Sequence, residues 1–167
     1  MAFRARYALI LVVSVALAGC RQADGPVPAV DANKQAELRD VSRDLQNLAA
    51  ARDPNAPEDL AHDLRKYVDE DRPSAIPAVD ELSLRTARAL AGTKLTEQAA
   101  QRLAHDLWTS VEAREMSERQ VESLQNNVQS LLMSVGVAEE NAEAVAAQVG
   151  EVQRQVTARQ RRWYEWF

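Results

Sequence analysis

Two histidines, one cysteine and several clustered carboxylates are the side chains of this 167-residue sequence whose types would carry chemistry. Each histidine precedes an aspartate inside an identical pentapeptide, Leu60-Ala61-His62-Asp63-Leu64 and Leu103-Ala104-His105-Asp106-Leu107. A metal centre would need both imidazoles and a carboxylate to converge. On a helix, each histidine stands two positions from a leucine on either side, about 200° around from the apolar stripe. That spacing favours a solvated imidazole beside an aspartate over a ligand. Glu139/Glu140 and Asp69/Glu70/Asp71 are residue types suited to general acid–base work. Their places at helix ends on polar faces make them a hydrated surface instead. The sequence holds no glycine-rich phosphate loop and no nucleophile-elbow pattern. The expectation is therefore a protein that is not an enzyme, with no catalytic residue, no cofactor and no metal.

The single cysteine belongs to a different pattern. Arg4 and Arg6 precede an apolar run, Tyr7–Ala16, broken only by Ser14, and small residues follow at Ala18 and Gly19. This is the tripartite layout of an export signal. The run is well short of the roughly 20 residues that a membrane-spanning helix needs. Leu17-Ala18-Gly19-Cys20 resembles the lipobox of bacterial lipoproteins. The resemblance implies that residues 1–19 are a cleaved signal peptide and that Cys20 becomes the first residue and carries three acyl chains. Two or more chains hold a protein stably on a membrane. In that family, Asp after the cysteine favours inner-membrane retention in enteric bacteria. Arg21 stands there in this sequence, so the resemblance implies an outer-membrane address facing the periplasm. The membrane is then the first partner, reached through lipid on Cys20. One cysteine allows no internal disulfide, although that compartment would permit one.

Loss of Arg4 and Arg6 with the signal leaves 18 basic residues against 25 acidic ones. An acidic chain with no basic cluster in its body is a poor nucleic-acid binder, and no nucleic-acid partner is expected. With 5 glycines and 6 prolines, and with Ala, Leu, Glu, Gln and Arg abundant, the chain is rich in strong helix formers. No stretch alternates as a strand would. The fold class is all-α.

Residues 20–31 form the lipidated cysteine and a tether containing Gly25, Pro26 and Pro28. Residues 32–167 form a single helical domain. Apolar stripes with spacings of three and four predict helices over about Ala32–Arg52, Glu58–Asp71, Pro77–Ala91, from a Thr96 cap, from a Ser117 cap to Gly136, and over Ala138–Arg162. Ser117 and Gln120 are spaced as a capping box, with Met116 and Val121 as its staple. Val121, Leu124, Val128, Leu131 and Val135 read as a heptad-like seam. Leu95-Thr96-Glu97, Met116-Ser117-Glu118 and Val137-Ala138-Glu139 recur at 21 residues, as do Leu103, Leu124 and Val145. Either a helix–turn unit repeats, or three heptads of a coiled coil recur trivially. The expected architecture is a compact antiparallel bundle of five or six helices, with an elongated hairpin or coiled coil as the alternative.

Arg161, Arg162, Trp163, Tyr164, Trp166 and Phe167 concentrate cations and rings in one segment. Such a segment can close the end of the bundle, form a protein–protein hot spot, or lie at a membrane interface. The functional expectation is a non-catalytic scaffold, adaptor or accessory lipoprotein of the bacterial envelope with an envelope protein as partner. The alternative is a binding protein for a small apolar ligand or lipid held among the helices.

Overall fold

Six helices occupy the described residues, which are 32–68, 76–112 and 115–164 of a computed structural model. They are α1 (Ala32–Ala49), α2 (Ala56–Val68), α3 (Pro77–Leu90), α4 (Glu97–Val111), α5 (Glu118–Ser134) and α6 (Glu139–Tyr164). No strand occurs among the described residues, and the class is all-α. The signal peptide, the Leu17–Cys20 motif and the tether lie outside the described residues, as do Trp166 and Phe167.

Local chemistry sets most boundaries. Thr96 caps α4 by accepting from the Ala99 N–H at 3.2 Å. Ser117 caps α5 in a full capping box: its Oγ accepts from Gln120 N–H, and its own N–H donates to Gln120 Oε1 at 2.8 Å. Pro77 opens α3, where its missing N–H leaves nothing unsatisfied. Gly136, at φ 94°, closes α5. Its N–H reaches Met133 O, and the next N–H, of Val137, reaches Leu132 O, the paired bonds of a Schellman ending.

Boundaries differ from the expected ones by one to three residues, and those at the end of α1 and the start of α2 have a local cause. The sequence reads α1 on to Arg52, but the helix stops at Ala49. Ala51 takes φ 49°, and its N–H and that of Arg52 bond to Leu48 O and Asn47 O. This is the ending that Gly136 makes, performed by an alanine, so no glycine announces it. The second helix starts at Ala56 rather than Glu58, with Pro57 inside its first turn.

Contacts between helices fix their directions. The Gly92 N–H after α3 donates to Ala49 O at the end of α1. Lys34, at the start of α1, places Nζ 5.4 Å from the Trp108 ring near the end of α4. Arg65 of α2 pairs with Asp80 of α3 at 3.4 Å, and Asp40 and Glu37 of α1 act on Lys66 of α2. Gln125 of α5 bonds to Ala146 of α6, while Glu115 before α5 pairs with Arg161 late in α6. The chain therefore runs up and down six times. One pole gathers the start of α1, α3 and α5 and the end of α2, α4 and α6. The opposite pole holds the turns 50–55, 91–96 and 135–138.

One aliphatic core runs through all six helices. Leu45, Leu60, Leu64, Leu82, Leu103 and Leu107 are fully buried within it. The burial of such a leucine is worth about 1.5–3 kcal/mol. The helices α4, α5 and α6 begin at Glu97, Glu118 and Glu139, in step with the 21-residue recurrence. Leu103, Leu124 and Val145 are all buried, and so are Leu107, Val128 and Val149. The recurrence is carried by three separate helices turning back on one another, not by one elongated coiled coil. The heptad-like seam is accordingly corrected. Leu132 is fully buried, whereas Leu131, Val121 and Val135 are only half-buried. Between the capped ends α5 faces both α4 and α6, and steps of four, Leu124–Val128–Leu132, keep one face on them.

Candidate functional site

The two pentapeptides sit in equivalent settings. In each, the leucines and the alanine are buried, the histidine is exposed and the aspartate is half-buried. His105 Nδ1 lies 3.6 Å from Asp106 Oδ1, and its ring is 6.3 Å from that of Trp108. Burial raises the Asp106 carboxyl above its usual range, against the opposing hydrogen bond from His105. Each histidine is thus held on the outer face of its own helix. Among the described residues no three His, Cys, Asp or Glu side chains gather as a metal set.

One ionisable group is buried that the sequence reading passed over. Asp44 is 5% exposed, and its Oδ2 makes no hydrogen bond among the described residues. Desolvation, aided by Asp63, Asp59 and Asp40 and opposed by Arg43, pushes its pKa up to about 7. Its position carries a signal: Asp44 is three residues after Val41 and four before Leu48, inside the stripe that α1 turns to the core. Hydropathy alone places an aspartate outside, and the helical register places it inside. Near neutral pH it holds or releases a proton beside α2.

The expected contact segment begins at a groove. Between the N-terminal turn of α5 and the last turns of α6 lies an open depression of about 890 Å³. Met116 and Val121, both half-buried, give it an apolar lining beside buried Gln153 and half-buried Thr157, and Glu118, Arg154 and the Glu115–Arg161 pair line it with charge. Arg161 and Glu115 are both well exposed, so their pairing is a surface contact of small energetic weight. Arg162, Trp163 and Tyr164 continue α6 past this groove; their side chains lie outside the described residues. A second open groove, of about 550 Å³, runs between α1 and α4 past Leu38, Arg39, Arg43 and His105. Both grooves lie on the outside of helix pairs, away from the Leu and Val interior. No helix among the described residues is long and apolar enough to cross a membrane.

No family model matches this chain, and no curated protein or solved structure matches it significantly.

Proposed function

We propose that this protein is a lipid-anchored, non-catalytic adaptor of the bacterial envelope, held through Cys20 on the outer membrane and docking an envelope protein along the α5–α6 groove. The supporting observation is that groove: an apolar lining at Met116 and Val121, beside charges of both signs, over an interior filled by aliphatic side chains. An accessible apolar lining among charges suits a protein partner. A ligand-binding bundle would instead line a hollow with its core valines.

Two measurements test the reading separately. Cys20→Ser should move the protein from the membrane fraction to the soluble periplasm; retention on the membrane would overturn the anchor. A photo-crosslinking residue at Val121 should give one discrete adduct in intact cells, and the same probe at Glu140, at the opposite pole, should give none. Equal labelling from both positions would overturn the docking surface.

A further inference from the structure

Helix α1 turns towards α4 a polar edge that the core does not use. It starts at the pole where α4 ends, so residues 35–46 of α1 run antiparallel to residues 97–105 of α4, with the groove of about 550 Å³ between them. At the helical rise, that stretch of α1 gives the groove a length of roughly 17 Å. Arg39 and Arg43 stand one turn apart on its α1 wall, close enough for one anion to meet both. Arg43 holds Asp40 at 3.0 Å through one nitrogen and keeps its other donors. Arg39 is exposed and makes no ion pair or hydrogen bond among the described residues. Next to Arg43, Ser42 lines the groove while only 6% exposed, and its hydroxyl has no hydrogen-bond partner among the described residues. A hydroxyl that leaves the carbonyls of its own helix unused is completed from the groove, and leaving it incomplete is costly.

We propose that this groove binds a carboxylate-bearing glycan, its carboxylate between Arg39 and Arg43 and its sugar hydroxyl or acetamido groups on Ser42, Gln35 and Gln101. The site is separate from the α5–α6 groove and needs no lipid on Cys20. Charge selects the anion. Two guanidinium groups line the groove against one carboxylate, Glu97, which lies at the far end and accepts from Gln101 at 3.2 Å. Lys34, with Nζ 5.4 Å from the Trp108 ring, adds positive charge beyond the Arg39 end. The ligand's acidic group is thereby directed to that end. Arginine takes a carboxylate in a two-bond fork, and a small surplus of positive charge suits a singly charged group better than a doubly charged phosphate. The rest of the lining selects the sugar. Leu38 is its one apolar side chain, so a peptide finds no seat for the aromatic anchors that carry protein contacts. Glutamine amides and a serine hydroxyl both donate and accept, as sugar hydroxyl and acetamido groups do.

The test is isothermal titration of the full chain with murein glycan strands freed of peptide, which carry both acetamido and carboxylate groups. Saturable binding is expected. Arg39→Gln should weaken it about tenfold and Ser42→Ala about threefold. Arg39 is exposed, so its replacement leaves the core intact and the melting curve unchanged. Arg88→Gln, an equal loss of charge on the exposed side of α3, should leave the affinity as it was. Chitotetraose, which has acetamido groups and no carboxylate, should bind at least about tenfold more weakly. Absence of strand binding overturns the proposal, and so does equal weakening by Arg88→Gln. Polyglutamate binding as tightly as the strands also overturns it, because the groove then reads acidity without the sugar. Membrane retention of a Cys20→Ser variant would sink the anchor reading without touching this result.

Discussion

Gln125 donates from Nε2 to the carbonyl of Ala146 at 3.1 Å, reaching from α5 to α6 across the spot that Gly150 leaves open. A Cβ on Gly150 would stand 2.6 Å from that nitrogen and 3.1 Å from the amide carbon. A mid-helix glycine costs about 1 kcal/mol relative to alanine, so the glycine is kept at the expense of α6 and in favour of the cross-helix bond. Gly150→Ala alone should change stability little, because the helical gain is offset by loss of the bond. In a Gln125→Ala background the same substitution should stabilise by about 1 kcal/mol. Urea titration of the four proteins in this cycle measures the coupling; strict additivity would refute it.

The buried Asp44 makes stability depend on pH in a definite direction. Burial pushes its carboxyl from the ordinary 3.8 up to about 7 in the folded state. The folded state therefore holds this proton more tightly, and stability falls as pH rises from 4 towards 7 and stays low above that. Asp44→Asn removes the charge that burial penalises. It should stabilise the protein at pH 8 by about 1–2 kcal/mol, with little gain at pH 4. Melting curves of both proteins across that range provide the check, and a gain independent of pH would contradict the assignment.

Ala51 occupies left-handed backbone, at φ 49°, where a Cβ crowds the following carbonyl. Ala51→Gly should stabilise by about 0.5–1 kcal/mol, because relief of that strain exceeds the added flexibility of the unfolded chain. Chemical denaturation would show it as a higher midpoint at unchanged slope.

Adjacent leucines in α5 should respond unequally. Leu132 is fully buried and Leu131 half-buried. Leu132→Ala should cost about 2–4 kcal/mol through the cavity it leaves, and Leu131→Ala about 1 kcal/mol. Equal losses would restore the heptad seam in place of the observed register.

The helices were legible where a side chain advertises a boundary. Thr96, Ser117 with Gln120, Pro77 and Gly136 each perform the role their type and position imply. The end of α1 was not legible, because an alanine does a glycine's work there and the dihedral is imposed by the turn into α2. The choice of Leu132 over Leu131 was not legible either. A three-four spacing fits both leucines, and only the simultaneous packing of α4 and α6 against α5 selects one. Asp44 was hidden by its residue type, since hydropathy puts an aspartate outside, although the register of α1, three residues after Val41 and four before Leu48, turns it to the core. The 21-residue recurrence was visible in the letters, but whether it meant one coil or several helices was settled by the packing of α5 against both α4 and α6. The exposed histidines were read correctly from two positions of offset, since a helix face is a local property.

An even number of helices brings the first and last of them to one pole. Any pull between the chain leading into α1 and a hold on the end of α6 would thus act on neighbouring points of one surface. Helices drawn apart from a shared end unzip, breaking their contacts one turn at a time, whereas helices drawn from opposite ends must shear many contacts together. Under load the bundle would peel open from that shared pole at low force. The turns of the other pole, closed by the Gly92–Ala49 bond and the Gly136 ending, would be the last to feel it.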